Sequence, residues 1–156
     1  MTEFTFKFIL LGDSGVGKSQ ISLRFCKNQF KSEYTKTEGL EYSKRSFPFN
    51  SLRVKSQVWD CGGSNISNGS NEKMTKVYYK NCVACVLVYD VTNKASYDSI
   101  ESTWLKQLKA YGKEEILCLL VANKCDHNES QSLVNRADGE RLAGKCSVCI
   151  VWFRVE

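Results

Sequence analysis

"FILLGDSGVGKSQISLRF", residues Phe8 to Phe25, passes from an apolar run into a glycine-rich turn and then into a stretch with helical spacing. The turn, "GDSGVGKS" at Gly12 to Ser19, fits G-x-x-x-x-G-K-[ST] at every fixed position, in the strand, loop and helix order that the pattern requires. Gly12, Gly15 and Gly17 let the backbone curl with its N–H groups pointing inward, and the helix that starts near Lys18 adds its positive dipole end. That chemistry suits phosphate. The candidate phosphate contacts are Ser14, Gly15, Val16, Gly17, Lys18, Ser19 and Gln20, with Lys18 reaching the outer phosphates and the Ser19 hydroxyl a ligand for Mg²⁺.

Outward from this turn, strand-like runs recur at 4–11, 54–59, 82–90, 116–123 and 148–153. Helix-like stretches at 18–27, 96–111 and 132–145 lie between most of them, the second marked by Ile100, Trp104, Leu105 and Leu108. Alternating strands and helices predict one α/β domain over residues 1–156, with a mostly parallel, six-stranded sheet flanked by helices. In "RSFPFNSLRVKSQV", Pro48, Asn50 and Ser51 punctuate two extended runs, which predicts a hairpin and an antiparallel edge strand.

Composition excludes several classes. The chain has 156 residues, 42% hydrophobic and 25% charged, which is ordinary for a globular domain. Its net charge of +5 is spread along the chain rather than clustered, so nucleic-acid binding has no footprint. The apolar runs "CVACVLVY" and "ILCLLVA" are too short to span a membrane, and the N-terminus is not patterned as a signal peptide, so the expectation is a cytoplasmic protein. Eight cysteines include two C-x-x-C spacings, at 82–85 and 146–149. In a strand, residues three apart point to opposite faces, so Cys82 and Cys85 read as structural thiols rather than a metal or redox pair.

A phosphate loop serves many nucleotides, and "ANKCD" identifies the base. Asn123 and Asp126 follow a buried strand at the sheet's C-terminal edge, where ligands of such sheets collect. A carboxylate there accepts both N–H groups on one edge of guanine, and adenine offers no such pair. Lys124 either packs its stem over the base or steadies the phosphate loop.

Taken together, "GDSGVGKS", "YTKTEGLEY", "WDCGG", "LVYDVT" and "NKCD" occur in the order seen in small GTPases of the Ras superfamily, and the chain resembles the Rab family across almost its whole length. Within it the resemblance is greatest to the branch numbered twenty-eight, whose second switch also reads D-x-G-G. The resemblance implies a P-loop NTPase of small G-protein fold that binds GTP or GDP with Mg²⁺. It places Phe30 edge-on to the base, Tyr34 over the phosphates, Thr37 on Mg²⁺ and the γ-phosphate, Asp60 on Mg²⁺ through water, and the Gly63 N–H on the γ-phosphate. The implied metal ligands are Ser19, Thr37 and Asp60, and the implied catalytic residues are Lys18, Thr37, Gly63 and Ser64. Effectors, exchange factors and activating proteins are expected at the loops near 34–42 and 60–80. The chain is expected to be monomeric, acting in membrane trafficking with peripheral membrane association.

Two positions depart from the family pattern. Ser64 stands where the family carries the Gln that orients the attacking water, and serine is too short to reach it, so unaided hydrolysis is expected to be slow. After the last strand, where the family has a loop touching the guanine oxygen and then a helix, the sequence reads Arg154, Val155 and Glu156, so the final helix is expected to be lacking. Three activities fit a phosphate loop: a GTP-dependent switch, a nucleotide-locked interaction module, and a small-molecule kinase. The kinase has neither an Arg-rich lid nor a use for N-K-x-D.

Overall fold

The computed structural model describes residues 3–33, 35–62, 72–126, 131–146 and 148–153. Strands β1 (Glu3–Leu11), β2 (Leu40–Phe49), β3 (Leu52–Cys61), β4 (Cys82–Asp90), β5 (Leu117–Asn123) and β6 (Cys149–Trp152) form one sheet in the order β2-β3-β1-β4-β5-β6. Every neighbouring pair is parallel except β2 and β3. The α/β small G-protein architecture expected from the sequence is the one observed. The strand order reverses across β1, which lies between β3 and β4, and such a reversal opens a crevice above the C-terminal strand ends.

The hairpin pairs Phe49 with Leu52 across Asn50 and Ser51, and Asn50 takes the left-handed conformation at φ 53°. Pro48 does not interrupt β2. It pairs with Arg53 near the strand end, and β2 is an edge strand, where a missing N–H is tolerated.

Five helices accompany the strands among the described residues: α1 (Lys18–Lys27), α2 (Glu72–Tyr79), α3 (Lys94–Ser99), α4 (Leu105–Tyr111) and α5 (Arg136–Cys146). They correct the sequence reading in three places. The helix expected over 96–111 starts two residues earlier, where the Asn93 side chain caps it by accepting from the Ser96 N–H at 3.3 Å, and a π-helical turn at Ile100–Trp104 divides it. The helix expected from 132 begins at Arg136 instead, with the Asn135 side chain accepting from the Asp138 N–H at 2.8 Å. Helix α2 has no counterpart in the sequence reading.

Side chains alternate between two layers along the central strands. Ile9, Leu11, Cys85, Leu87, Tyr89, Leu120 and Ala122 face one way, and Tyr78 and Tyr79 of α2, Ile100, Trp104, Leu108 and Leu142 cover them. Val16, Val88 and Val121 face the other way with Ile21 and Leu119. Each large apolar side chain fully buried in this way contributes about 1.5–3 kcal/mol. Both layers end beside the turn that follows β1.

Candidate functional site

Between β1 and α1 the chain turns through Gly12, Gly15 and Gly17, whose φ values of 147°, 81° and 99° are ones that glycine alone adopts easily. Space is as restrictive as torsion at two of them. A Cβ on Gly12 would lie 2.2 Å from the Val88 carbonyl oxygen, and one on Gly17 would lie 2.3 Å from Asn123 Nδ2. Lys18 is 6% exposed and folds back over the turn, donating to the carbonyls of Gly12 at 2.9 Å and Asp13 at 2.8 Å. An ammonium has three protons, so one remains for an acceptor in the cleft. Burial lowers the Lys18 pKa, against the opposing pull of Asp60. The Val16 side chain belongs to the core, and its backbone carbonyl accepts from Asn123 Nδ2 at 2.8 Å.

Three oxygens meet beside the first turn of α1. Ser19 Oγ and Thr37 Oγ1 are 2.8 Å apart, and the Ser19 hydroxyl also donates to Asp60 Oδ2. Asp60 is buried at the C-terminal end of β3, and its other oxygen, Oδ1, is shielded from solvent without a partner. Burial raises the Asp60 pKa, against the Ser19 hydrogen bond and the Lys18 charge. A buried carboxylate oxygen without a donor is costly unless something else occupies its lone pairs. A hard divalent cation held by oxygen ligands fits this corner. The two loops that bring Thr37 and Asp60 together are joined by the Gly62 N–H donating to the Gly39 carbonyl at 3.4 Å.

On the far side of the phosphate turn, Asn123 closes β5. Its Nδ2 is tied to Val16, and its Oδ1 is a second buried polar atom without a partner. Lys124 has φ 64° and sends its ammonium to the Gly15 carbonyl at 2.9 Å and to Asp90 Oδ2 at 2.7 Å. The Gly15 contact ties Lys124 to the glycine turn. Asp126 and the half-exposed Phe30 line the same cleft of about 240 Å³, together with Ser14, Gly15, Lys18, Ser19, Gln20 and Thr37. The Gln20 amide oxygen accepts from the Lys31 N–H at 3.0 Å, tethering the start of the following loop to α1. Tyr34, Gly63, Ser64 and Val155 lie outside the described residues.

Several contributors were not singled out in the sequence. The Trp104 indole donates to Asp13 Oδ1 at 2.8 Å, bracing the phosphate turn from the π-helical segment. Asp90 receives Lys124 on one oxygen and both the N–H and the hydroxyl of Thr92 on the other, at 2.8 and 2.7 Å. The signal for Asp90 was present in "LVYDVT", since a carboxylate ending a buried strand beside a threonine is a capped turn.

The Ras family model matches residues 7–153. The chain belongs to the Ras family. Members of this family are GTPases that bind GTP or GDP with Mg²⁺. Its relatives include Ras-related protein RABA1b of Arabidopsis thaliana, 37% identical over 149 residues that make up 96% of this chain and 66% of that protein. GTP-binding protein ypt3 of Schizosaccharomyces pombe is 36% identical over 124 residues, 80% of this chain and 56% of that protein. Ras-related protein Rab-8A of Bos taurus is 33% identical over 141 residues, 90% of this chain and 65% of that protein. This Ras-family chain thus spans between about half and two thirds of the length of these relatives. Among its described residues no helix is long and apolar enough to cross a membrane.

Proposed function

We propose that this chain is a Rab-like switch that binds GTP or GDP with Mg²⁺, hydrolyses GTP slowly when unaided, and acts in membrane trafficking. The observation that carries the reading is a pair of buried acceptor atoms without partners, Asp60 Oδ1 and Asn123 Oδ1, on opposite sides of one glycine turn. One calls for a cation and the other for a hydrogen-bond donor, and a purine nucleotide chelated to a divalent ion supplies both. Asp126 narrows the purine to guanine, because its carboxylate accepts from the two N–H donors on one edge of that base.

Mg²⁺ held at this corner would neutralise the charge that develops on the outer phosphates. The chain supplies the rest. The turn N–H groups and Lys18 hold the phosphates, Ser19, Thr37 and Asp60 hold the ion, and Asn123 fixes the turn while Asp126 orients the base. Thr37 and Gly63 would contact the γ-phosphate in the GTP state, so GTP would order the loops around them and hydrolysis would release them. Tyr42, 53% exposed and stacked on Trp59 at 5.3 Å, offers an effector an aromatic surface beside the first of these loops. Effectors, exchange factors and activating proteins are the partners of this reading, with the chain acting as a monomer. The affinity to the Rab branch numbered twenty-eight rests on Gly62 and Gly63 after Cys61.

Ser64 favours a second reading, a module that binds GTP without turning it over. Single-turnover release of γ-phosphate, measured with and without a Rab-activating protein, separates the two. The switch predicts an unaided rate no faster than roughly 10⁻⁴ s⁻¹, a clear acceleration by the activator, and a faster unaided rate in Ser64→Gln. An activator without effect supports the locked module, and absence of guanine-nucleotide binding defeats both.

A further inference from the structure

All eight cysteines are free thiols. Two of them are register partners on adjacent parallel strands, Cys85 in β4 and Cys118 in β5, and the Cys85 thiol points at Cys118 Sγ across 3.9 Å. Cys85 belongs to the larger core layer and Cys118 packs against it, so both project to the same face of the sheet. We propose that Cys85 and Cys118 form a redox-active pair that closes reversibly into a disulfide when the chain meets a peroxide.

The geometry suits closure. Neighbouring strands lie about 4.8 Å apart, within the roughly 4.4–6.8 Å that a disulfide spans between Cα atoms. The sulfurs have to approach from 3.9 Å to about 2.05 Å, a movement that rotation of the two side chains supplies while the strands stay paired. The C-x-x-C neighbour does not compete on these grounds. Cys82 lies on the same strand as Cys85, and its thiol donates to the Ala84 carbonyl at 2.9 Å rather than to a sulfur.

The two thiols are unequal, and the inequality orders the chemistry. Both border a groove of about 980 Å³ with Leu105, Leu117 and Cys146, but Cys85 is wholly buried at its floor whereas Cys118 is only half-buried. The hydrogen bond from Cys85 stabilises charge on Cys118, lowering its pKa and raising that of Cys85. Cys118 as thiolate attacks one peroxide oxygen, breaking the O–O bond to give a sulfenic acid and releasing hydroxide, which takes up the proton Cys118 has shed and leaves as water. Cys85 sulfur then attacks the sulfenic sulfur. The S–S bond forms as the S–O bond breaks, and the Cys85 proton leaves with the departing hydroxide as a second water. Two thiols are oxidised and one peroxide is reduced to two waters. Exchange with a small dithiol reopens the bond.

The closed pair would staple the strands that deliver Asp90 and Asn123, which are register partners further along the same ladder. Nothing in this inference depends on the nucleotide reading. The test is to treat the full chain with hydrogen peroxide, alkylate remaining thiols after denaturation, and map peptides by mass spectrometry. The expected result is a Cys85–Cys118 linked peptide that disappears with dithiothreitol, and a thermal midpoint several degrees above that of the reduced chain. Cys118→Ser and Cys85→Ala should each remove the link and the shift, with the folding of each variant checked by its midpoint in reductant. Recovery of Cys85 as a free thiol after oxidation, whatever Cys118 then carries, overturns the proposal, as does a Cys118–Cys146 link. A Cys85–Cys118 link with an unchanged or lowered midpoint overturns the staple.

Discussion

Asp126 lines the cleft beside Lys124 and Phe30, and its carboxylate is suited to accept two hydrogen bonds from one edge of guanine. Asp126→Asn replaces one acceptor by a donor, which matches the extra carbonyl of xanthine instead. The variant should lose at least tenfold in GTP affinity and gain preference for xanthosine triphosphate, as read by competition binding. Unchanged GTP preference would remove Asp126 from the base site.

Asp90 makes a different prediction, because its role is to hold Lys124. Burial alone would raise its pKa, yet the Lys124 ammonium and the two Thr92 donors together hold it below the ordinary value of 3.8. A carboxyl with a lowered folded-state pKa stabilises the fold above its unfolded pKa, and that contribution disappears as pH falls through the folded value. Asp90→Asn should therefore cost about 1–2 kcal/mol at pH 7 by urea denaturation, and the gap from wild type should shrink once the pH drops below about 3.8. A gap that is constant with pH would assign the loss to packing. At this scale the residues that line the cleft were legible because each group is fixed by backbone spacing within a few positions. Trp104 and Asp13 were not, since they meet across 91 positions and nothing local marks either as a partner.

The turn that carries the site is held as tightly by its neighbours as by its own torsions. Gly12→Ala puts a methyl group against the Val88 carbonyl, a backbone atom of β4 that cannot step aside, at a φ of 147°. The change should cost about 2 kcal/mol or more in chemical denaturation and weaken nucleotide binding with it. A neutral Gly12→Ala would show that the turn relaxes where the packing says it cannot. Five of the six strands were legible from their apolar runs to within about two residues, the usual uncertainty of element ends, whereas β2 reaches back to Leu40, five residues before the hairpin stretch read from Arg45. Helices were less so. Helix α2 spans 8 residues, and its buried members Thr75, Tyr78 and Tyr79 give too short a pattern for periodicity to register. The π-helical turn was invisible for another reason. One extra residue per turn keeps Ile100 and Trp104 both buried, a spacing that an unbroken α-helix also satisfies.

For the molecule as a whole, the sheet is unevenly covered. Leu117, Phe4, Phe6 and Val151 are 72%, 44%, 36% and 40% exposed, although each lies in a strand. Exposure this large makes Leu117 nearly indifferent to its own chemistry. Leu117→Lys should change stability by no more than about 0.5 kcal/mol while reducing any tendency to self-associate, measured by denaturation and by light scattering. A loss above that would mean that Leu117 is covered in solution. The arrangement of strands was legible as a class, because alternation of strand and helix leads to a parallel sheet. Which faces remain bare was not, because that depends on which helices dock where.

The hydrogen bonds that assemble the cleft join Asp13 to Trp104, Val16 to Asn123 and Gly15 to Lys124, across 91, 107 and 109 positions. A chain emerging from the ribosome N-terminus first therefore exposes its glycine turn long before the strand that braces it exists. Until Asp126 has been synthesised and β5 has docked beside β4, the nascent chain carries the most recognisable part of its site in a form with nothing to hold it shut. On the proposed reading, ligand capture would be a late event of biosynthesis, and nucleotide in the surrounding solution would act as the latch that favours the completed sheet over its partly built precursors.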